Sequence, residues 1–431
     1  MSKTAIQVGI IGLGTVGCGT LRVLEENAAN INHRLGVPLI IKKLANRHLH
    51  HERLAHLPRS LLTTDGWEIV NDPEIDIVVE TIGGVGAAKD FVFGAVRNGK
   101  NVVTANKELI ARYGRELLAE ARERQVDVYF EGSVAGGIPI IQPLKQSLIA
   151  NRITRIVGIV NGTTNYILTR MKRDHLDFAA SLAEAQAAGY AEPDPTNDVD
   201  GHDPAYKIAI LAAIAFDSHV DMDQVYREGI RRICPEDLRY ADELGYEIKL
   251  LAVARDDEEA MEIRVHPALV SQQHPLASVH DVFNAIFVHG DAVDDLMFYG
   301  RGAGAGPTGS AVVGDLLEVA RNVLYGSTGR LHCTCSQDKP IRPIEEVASR
   351  FYIRMWVADR PGVLAAVAGI LGQEGVSVAS MVQKETSTDQ AEIVWITHRV
   401  VERKLRQALQ QIVHLDCVHQ VSNVIRVEDL D

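Results

Sequence analysis

Residues 6–17 read IQVGIIGLGTVG. An apolar, β-branched run (Ile6–Ile11) leads directly into three spaced glycines, and a helix-like segment (Cys18–Ala29) follows. Glycine allows the backbone to turn tightly and approach a pyrophosphate, which then lies against the N-terminus of the helix. This order of strand, glycine turn and helix therefore predicts a dinucleotide site. The predicted cofactor contacts are Gly12, Gly14, Thr15, Val16 and Gly17.

Alternating strand and helix patterns continue to about residue 150. The strand patterns lie at Leu39–Leu44, Ile75–Ile82, Asn101–Val103 and Val126–Phe130. Strands that alternate with helices in this way predict a doubly wound parallel sheet over residues 1–150.

The second of these strands ends in Ala45-Asn46-Arg47. Sites specific for NAD usually carry an acidic residue here, which binds the ribose hydroxyls. Arg47 could instead hold a 2′-phosphate, so the sequence leaves both NADP and NAD open.

Two further strand ends carry candidate site residues. The strand at Ile75–Ile82 ends in Gly83-Gly84, and the next one ends in Thr104-Ala105-Asn106-Lys107. Because ligands of open α/β sheets bind at the carboxyl ends of the strands, Thr104 and Lys107 are expected to face the cofactor and substrate. The alternative is that Lys107 is an ordinary surface lysine.

An acidic stretch, residues 189–216, reads GYAEPDPTNDVDGHDPAYKIAILAAIAF. Its five carboxylates fall within twelve residues, and prolines prevent continuous helix or strand. They are Glu192, Asp194, Asp198, Asp200 and Asp203. A helix is predicted over Pro204–Phe216, with Asp203 as its N-cap, and its apolar composition predicts burial.

Lys207 is the one charge near the start of this predicted helix, four residues beyond Asp203. The two side chains therefore share one helix face. A lysine among carboxylates at the edge of an apolar core suits proton transfer or polarisation of a carbonyl. The alternative is a solvated acidic loop in which the lysine only pairs with its neighbours.

The rest of the chain predicts two more domains and a linker. Strand patterns at Ile153–Val160, Glu262–Val265 and Val282–Val288, with helices between them, indicate a mixed central domain over residues 151–306. A glycine turn (Gly300–Gly309) precedes a helix over 307–324, which is expected to close the first domain. Glycines before a helix suit contact with a phosphate or ribose. Residues 325–348 are polar and indicate a linker. Residues 349–431 give a βαββαβ pattern.

Composition limits the functional classes. The chain has 431 residues and a net charge of −13, which argues against nucleic-acid and anionic-membrane partners. No apolar run reaches the roughly 18 residues that a membrane span needs. Five cysteines in a long chain are typical of a reducing cytosol, and Cys333 and Cys335 are interpreted as free thiols. We therefore expect a cytoplasmic protein.

In combination, these motifs resemble homoserine dehydrogenase with a C-terminal ACT domain over nearly the whole chain. The most specific match is GYAEPDP at 189–195, followed at the family's spacing by Asp198, Asp200-Gly201, Asp203 and Lys207. The other matching segments are Gly12–Gly17, Thr104–Lys107, NGTTNYIL at 161–168, Gly300–Gly304 and DRPGVL at 359–364. The resemblance implies an α/β protein with an N-terminal Rossmann domain, a central α+β substrate and dimerisation domain, and a C-terminal ferredoxin-like ACT domain.

The resemblance also implies a reaction: reversible hydride transfer between L-homoserine and L-aspartate 4-semialdehyde with NAD or NADP, in threonine, methionine and isoleucine biosynthesis. By the family pattern, Lys207 takes or gives the hydroxyl proton, while Asp203 and Asp198 position the substrate or its water. Glu192 would hold the substrate amino group, and Lys107 would lie beside the nicotinamide and substrate. Gly304 or Gly306 would touch the cofactor.

The family pattern further implies a monovalent cation, expected to be sodium, and an effector. The cation ligands would be Glu131 and the backbone carbonyls of Val134, Gly136 and Ile138. The ACT module would bind a pathway amino acid, with L-threonine the expected effector, near Asp359–Leu364 and Gly375–Val378. Family members are at least dimers, so a homodimer or homotetramer is expected.

Two other functions stay open at this point. One is a dehydrogenase for another semialdehyde or a 2-hydroxy acid, in which the acidic stretch binds a different substrate. The other is a sensor that binds dinucleotide and amino acid without turnover. Lys207 and Asp203 argue against the sensor, which needs no pair for proton transfer.

Overall fold

The computed structural model describes residues 3–49, 54–329, 335–385 and 389–430. These residues form two compact units. The first contains Met1–Ile156, Tyr206–Asp223 and Asn284–Lys339, and the second contains Val157–Ala205, Gln224–Phe283 and Pro340–Asp431. Within the described ranges, no helix is long and apolar enough to cross a membrane.

The first unit is built on a six-stranded parallel sheet. Its strands are β1 (Ile6–Ile11), β2 (Leu39–Ala45), β3 (Leu62–Thr63), β4 (Ile77–Glu80), β5 (Asn101–Thr104) and β6 (Val128–Tyr129). Its first helices are α1 (Thr15–Glu26), α2 (Ala28–Leu35), α3 (Trp67–Val70), α4 (Ala87–Arg97) and α5 (Lys107–Glu123). The strand order is β3-β2-β1-β4-β5-β6 with parallel pairing throughout, which is the order of dinucleotide-binding sheets. The predicted doubly wound sheet is confirmed.

The middle of the chain supplies elements to both units. Its strands are β7 (Ile153–Ile159), β8 (Tyr226–Arg227), β9 (Tyr246–Asp256), β10 (Met261–Ser271), β11 (Phe283–Gly290) and β12 (Asp294–Arg301). Its helices are α6 (Gly162–Asp174), α7 (Phe178–Ala187), α8 (Thr196–Val199), α9 (His202–Ala215), α10 (Pro235–Glu243) and α11 (Ala305–Tyr325). In the first unit α11 packs closely on α1. A Cβ on Gly19 would lie 2.0 Å from the Ala305 carbonyl oxygen, so this contact leaves no room for a side chain on Gly19.

The last part of the chain forms a four-stranded sheet with two helices. Its elements are β13 (Ala348–Ala358), α12 (Val363–Gln373), β14 (Val378–Glu385), β15 (Gln390–Thr397), β16 (Val400–Val401), α13 (Glu402–Ile412) and β17 (Val418–Glu428). The order β17-β13-β15-β14 with antiparallel neighbours is the ferredoxin-like arrangement expected from the βαββαβ pattern. Strand β17 also pairs in parallel with β10, so within the second unit this sheet continues into the β9–β10 ribbon.

The structure corrects several local predictions. Strands β9 and β12 were not predicted. The stretch Ile248–Ala254 within β9 is buried throughout and is apolar except for Lys249, and such a run cannot be told from a buried helix by periodicity alone. Helix α1 begins at Thr15 rather than Cys18, because the Cys18 N–H already bonds to the Gly14 carbonyl at 3.0 Å.

A second correction concerns Asp203, which is not an N-cap. Helix α9 begins at His202, two residues before the predicted start at Pro204, so Asp203 lies in its first turn. Gly201, with φ of +81°, precedes the helix, and its carbonyl accepts the Ala205 N–H at 3.2 Å. Glycine adopts this left-handed conformation at no steric cost, which moves the start of the helix upstream of the proline.

The structure tests the predicted linker over residues 325–348, and the predicted free thiols within it, only in part. The proposed linker includes residues 330–334, and these lie outside the described residues, as does Cys333. Cys335 is disulfide-bonded, so its interpretation as a free thiol is wrong. Cys18, Cys234 and Cys417 are in the reduced thiol form.

Candidate active site

The glycine turn after β1 has the geometry of a pyrophosphate cradle. Gly12 has φ of +102°, and a Cβ there would lie 2.8 Å from the Thr81 backbone. A Cβ on Gly17 would lie 1.9 Å from the Gly12 carbonyl oxygen, so Gly17 permits close packing of the helix on the strand. A Cβ on Gly14 would meet no atom within 4 Å. The open space is thus at the middle glycine, where a dinucleotide-binding turn lets the cofactor approach.

Asn46 holds this turn in place from the end of β2. Its side-chain oxygen accepts the Leu13 N–H at 3.0 Å, and its amide donates to the His48 carbonyl at 2.8 Å. Asn46, at the position where NAD-specific sites usually carry an acidic residue, therefore has a structural role. Arg47, next to it, is exposed. An exposed guanidinium at the end of β2 remains available for a 2′-phosphate.

A buried carboxylate, Glu80, organises the neighbouring strand ends. It is fully buried at the end of β4 and accepts the Ile82 and Gly83 N–H groups at 2.7 and 2.9 Å. It also accepts the Thr104 hydroxyl at 2.6 Å. The Thr104 hydroxyl is thus bonded to a buried carboxylate of the protein itself, and its predicted contact with the cofactor stays a prediction. No role was predicted for Glu80, although an acid that ends a buried strand is a usable signal.

Lys107 is the first residue of α5, which Asn106 caps by accepting the Leu109 N–H at 3.1 Å. On α9, the Tyr206 hydroxyl donates to the Glu108 carboxylate at 3.3 Å. Glu108 follows Lys107 directly, and Tyr206 precedes Lys207. The structure therefore brings together, within the first unit, the parts of α5 and α9 that carry the two lysines.

The loop after β6 is organised by Glu131, which is 5% exposed. Its carboxylate accepts the N–H groups of Ile140, Ile141 and Gln142 at 2.6, 2.9 and 2.7 Å. Burial raises the pKa of this carboxyl group against the opposing effect of those three donors. A carboxylate has about four acceptor positions, so roughly one remains for a cation.

The predicted carbonyl ligands lie in the same loop as Glu131. Ala135 and Gly136 have φ of 54° and 53°, which turns the chain sharply between Val134 and Ile138. The loop's own hydrogen bonds use the carbonyls of Glu131 and Ala135. The hydrogen bonds just named do not involve the carbonyl oxygens of Val134, Gly136 and Ile138. The residues present therefore fit a monovalent cation with oxygen ligands.

Two further buried charges, which were not predicted from the sequence, lie beside this loop. Asp315 of α11 accepts the Glu131 N–H at 2.6 Å, and burial together with the Glu131 charge raises its pKa to about 8. Burial lowers the pKa of Lys145 to about 8, and its ammonium lies 4.6 Å from the Phe130 ring centroid. A cavity of 470 Å³ adjoins Glu131, Lys145 and Asp315. It is large enough for water or an ion.

Asn161 joins the carboxylates of the acidic stretch in the second unit. Its amide nitrogen donates to Asp198 at 2.7 Å and to Asp203 at 2.8 Å. Its side-chain oxygen caps α6 by accepting the Thr164 N–H at 2.9 Å. Two predicted site residues are therefore brought together by a third, which matched the family motif but was given no role.

Asp203 and Lys207 lie one turn apart on α9, and both are buried, at 4% and 8% exposure. The helix continues through Ile208–Leu211, which are all buried. The prediction of charged groups at the start of a buried helix is confirmed. An ammonium held in such a place is largely removed from water, which strengthens its interactions with nearby charges.

The remaining acids of the stretch have different surroundings. Asp200 forms a two-pronged ion pair with Arg231 at 2.6 and 3.1 Å, and Asp194 accepts the Thr196 hydroxyl at 2.6 Å. Glu192 is exposed. Its predicted contact with the substrate amino group stays a prediction.

Comparison with known proteins gives consistent matches along the chain. Family models match as homoserine dehydrogenase over residues 139–317, as homoserine dehydrogenase NAD binding domain over 12–131, and as ACT domain over 351–414. The homoserine dehydrogenase of Bacillus subtilis (strain 168) is 42% identical over 426 residues, which is 98% of both chains.

Solved structures agree with this. The crystal structure of a homoserine dehydrogenase from Thiobacillus denitrificans superposes with a TM-score of 0.94 at 46% identity and covers 99% of both chains. A hyperthermophilic archaeal homoserine dehydrogenase in complex with NADPH has a TM-score of 0.63 at 26% identity. That match covers 73% of this chain and 97% of the archaeal one.

Proposed function

This chain belongs to the homoserine dehydrogenase family, and from that premise we propose that it interconverts L-homoserine and L-aspartate 4-semialdehyde. It is an NAD(P)-dependent oxidoreductase. The reaction would belong to threonine, methionine and isoleucine biosynthesis in the cytoplasm. One observation carries most weight: Asn161 bonds to both Asp198 and Asp203, and Asp203 lies one turn before Lys207 on a buried helix.

Oxidation of an alcohol needs a group that accepts the hydroxyl proton while hydride leaves the carbon. The bound nicotinamide supplies the hydride acceptor. Lys207 accepts the proton in oxidation and returns it in reduction. Asp203 and Asp198, held by Asn161, orient the hydroxyl or its water. Glu192 binds the substrate ammonium, for which an exposed carboxylate is a suitable partner.

Residues at the carboxyl edge of the first sheet would hold the dinucleotide. The pyrophosphate would lie at Gly12, Gly14 and Gly17 and the start of α1, beside Thr15 and Val16. Lys107 and Thr104 would lie on the nicotinamide side, and Gly304, the N-cap of α11 with φ of +119°, would add a backbone contact. Arg47 would bind a 2′-phosphate, and the NADPH complex of the archaeal relative supports use of NADP.

A monovalent cation, sodium by the family pattern, would stabilise the loop after β6. Its ligands would be Glu131 and the carbonyls of Val134, Gly136 and Ile138. It would offset part of the negative charge of Glu131, which burial makes costly. Its role would be to position the loop.

The C-terminal module would regulate the enzyme, with L-threonine as the effector, and the protein would form a homodimer or homotetramer. Regulation of this kind is a coupling free energy between two sites, so the effector must bind one conformation more tightly than another. The ACT domain match over residues 351–414 supports a regulatory role.

A single set of assays tests the proposal. The purified protein is mixed with L-homoserine and either NAD or NADP, and nicotinamide absorbance is followed with and without L-threonine. Reduction of the cofactor supports the enzyme, and slower reduction with threonine supports feedback control. Folded protein that binds the dinucleotide but reduces neither form would contradict the proposed reaction and favour a sensor.

A further inference from the structure

A short segment of the second unit, residues 226–231, lies between the acidic stretch and the C-terminal module. We call it the connecting segment. It begins with β8, which pairs with β10, and the Glu228 N–H bonds to the Val265 carbonyl at 2.8 Å. Its two sides contact different parts of the unit.

One side of the connecting segment packs on the backbone beside Asp198. The Ile230 N–H donates to the Val199 carbonyl at 2.9 Å, and Ile230 is fully buried. A Cβ on Gly229 would lie 2.1 Å from the Val199 carbonyl oxygen and 2.6 Å from the Asp200 Cα. Contact this close leaves no room for independent movement. A shift of Gly229 must therefore move Val199 and Asp200, and with them the adjacent Asp198.

The other side of the connecting segment is held by Arg426 of β17. Its guanidinium donates to the Glu228 carboxylate at 2.8 Å and to the Tyr226 hydroxyl at 3.2 Å. The same guanidinium also donates to Glu402 at the start of α13, at 2.7 and 2.9 Å. Arg426 is 5% exposed, so water offers little competition for these bonds. A single buried cation thus joins the first turn of α13 to the residue preceding Gly229.

We propose that Arg426 is a positioning residue for Asp198, the carboxylate that is assigned to substrate binding. Arg426 acts through Glu228 and the contact between Gly229 and Val199. The proposal rests on the proposed function, because it assigns Asp198 to substrate. It gives the C-terminal module a direct mechanical connection to the substrate site. A displacement of Arg426 with β17 would shift Glu228 and thereby alter the position of Asp198.

The bond between Arg426 and Glu228 has the strength that this role needs. Burial is the largest single effect and raises the pKa of the Glu228 carboxyl group, but the charge and hydrogen bond of Arg426, the charge of His266 and the hydrogen bond of Tyr226 together lower it overall. The carboxylate is therefore ionised at neutral pH, and its bond to Arg426 is charge-assisted. Tyr226 donates to the same carboxylate at 3.0 Å, which fixes its orientation.

The test compares two substitutions, each of which neutralises one of the carboxylates that accept hydrogen bonds from Arg426. Glu228→Gln weakens the bond that leads to Asp198, and Glu402→Gln weakens the bond within the C-terminal module. Steady-state kinetics with homoserine and amide hydrogen exchange of residues 196–203 are measured for both variants and the unmodified protein. Exchange reports local opening and needs no turnover.

Glu228→Gln is expected to raise the KM for homoserine by roughly fivefold with little change in kcat, and to speed exchange in residues 196–203. Glu402→Gln is expected to change neither. Equal effects of the two substitutions, or unchanged exchange in folded Glu228→Gln protein, would overturn the proposal. If the unmodified protein does not oxidise homoserine while only Glu228→Gln speeds exchange, the mechanical connection holds and the proposed substrate is wrong.

Discussion

Replacement of Asn161 by alanine removes two things at once: the donor shared by Asp198 and Asp203, and the N-cap of α6. Loss of an N-cap costs about 1 kcal/mol. Each carboxylate loses a hydrogen bond, at 2.7 and 2.8 Å, worth about 1 kcal/mol because each keeps other interactions. The free energy of unfolding should therefore fall by about 3 kcal/mol. Misplacement of both carboxylates should lower kcat/KM by roughly 100-fold.

The matched control is Asp177→Ala. Asp177 caps the next helix, α7, by accepting the Ala180 N–H at 2.8 Å, and it is exposed. Its loss should cost only about 1 kcal/mol and leave kcat/KM unchanged. Urea unfolding and homoserine kinetics are compared for the two variants. Equal losses of stability and activity would show that Asn161 is only a cap, and would refute the reasoning for its bonds to the carboxylates.

Three other predictions concern the cofactor and pH. Gly17→Ala should destabilise the fold by about 3 kcal/mol, because its Cβ would lie 1.9 Å from a carbonyl oxygen, whereas Gly14→Ala should keep stability and weaken dinucleotide binding in a fluorescence titration. Arg47→Ala should lower the preference for NADP over NAD by roughly tenfold in kcat/KM, and an unchanged ratio would remove Arg47 from 2′-phosphate binding. Burial lowers the pKa of His266 below its ordinary 6.5, so the unfolded chain takes up a proton that the folded chain does not. Stability should fall as pH drops below about 6.5, and His266→Gln should flatten that part of the profile in urea titrations.

The sequence predicted the first sheet well because its signals are local. A strand, a glycine turn and a helix follow one another at residues 6–17, and four of the five later strands were predicted from separate, mainly apolar runs, whereas the two-residue strand β3 was not predicted. The acidic stretch was likewise visible, because five carboxylates and a lysine at the start of an apolar helix are unusual. Lys207 and Asp203 could therefore be named before their surroundings were known.

Contacts between residues far apart in the chain could not be predicted from the sequence. Asn161 bonds to carboxylates 37 and 42 residues away, and Arg426 bonds to Glu228 across 198 residues. Strand β9 was missed because a strand buried on both faces lacks the alternation that marks a half-buried one. The start of α9 was misplaced because the conformation of Gly201, rather than the following proline, decides where that helix begins.

If Lys207 transfers the proton in homoserine oxidation, Lys207→Ala should remove most of the turnover. Its control is Lys43→Ala, which removes a lysine from an exposed pair with Glu68. We expect Lys207→Ala to lower kcat by roughly 10²- to 10⁴-fold while the dissociation constant for NADPH stays unchanged, and Lys43→Ala to alter neither. Turnover by folded Lys207→Ala protein at the rate of the Lys43→Ala control would contradict the account.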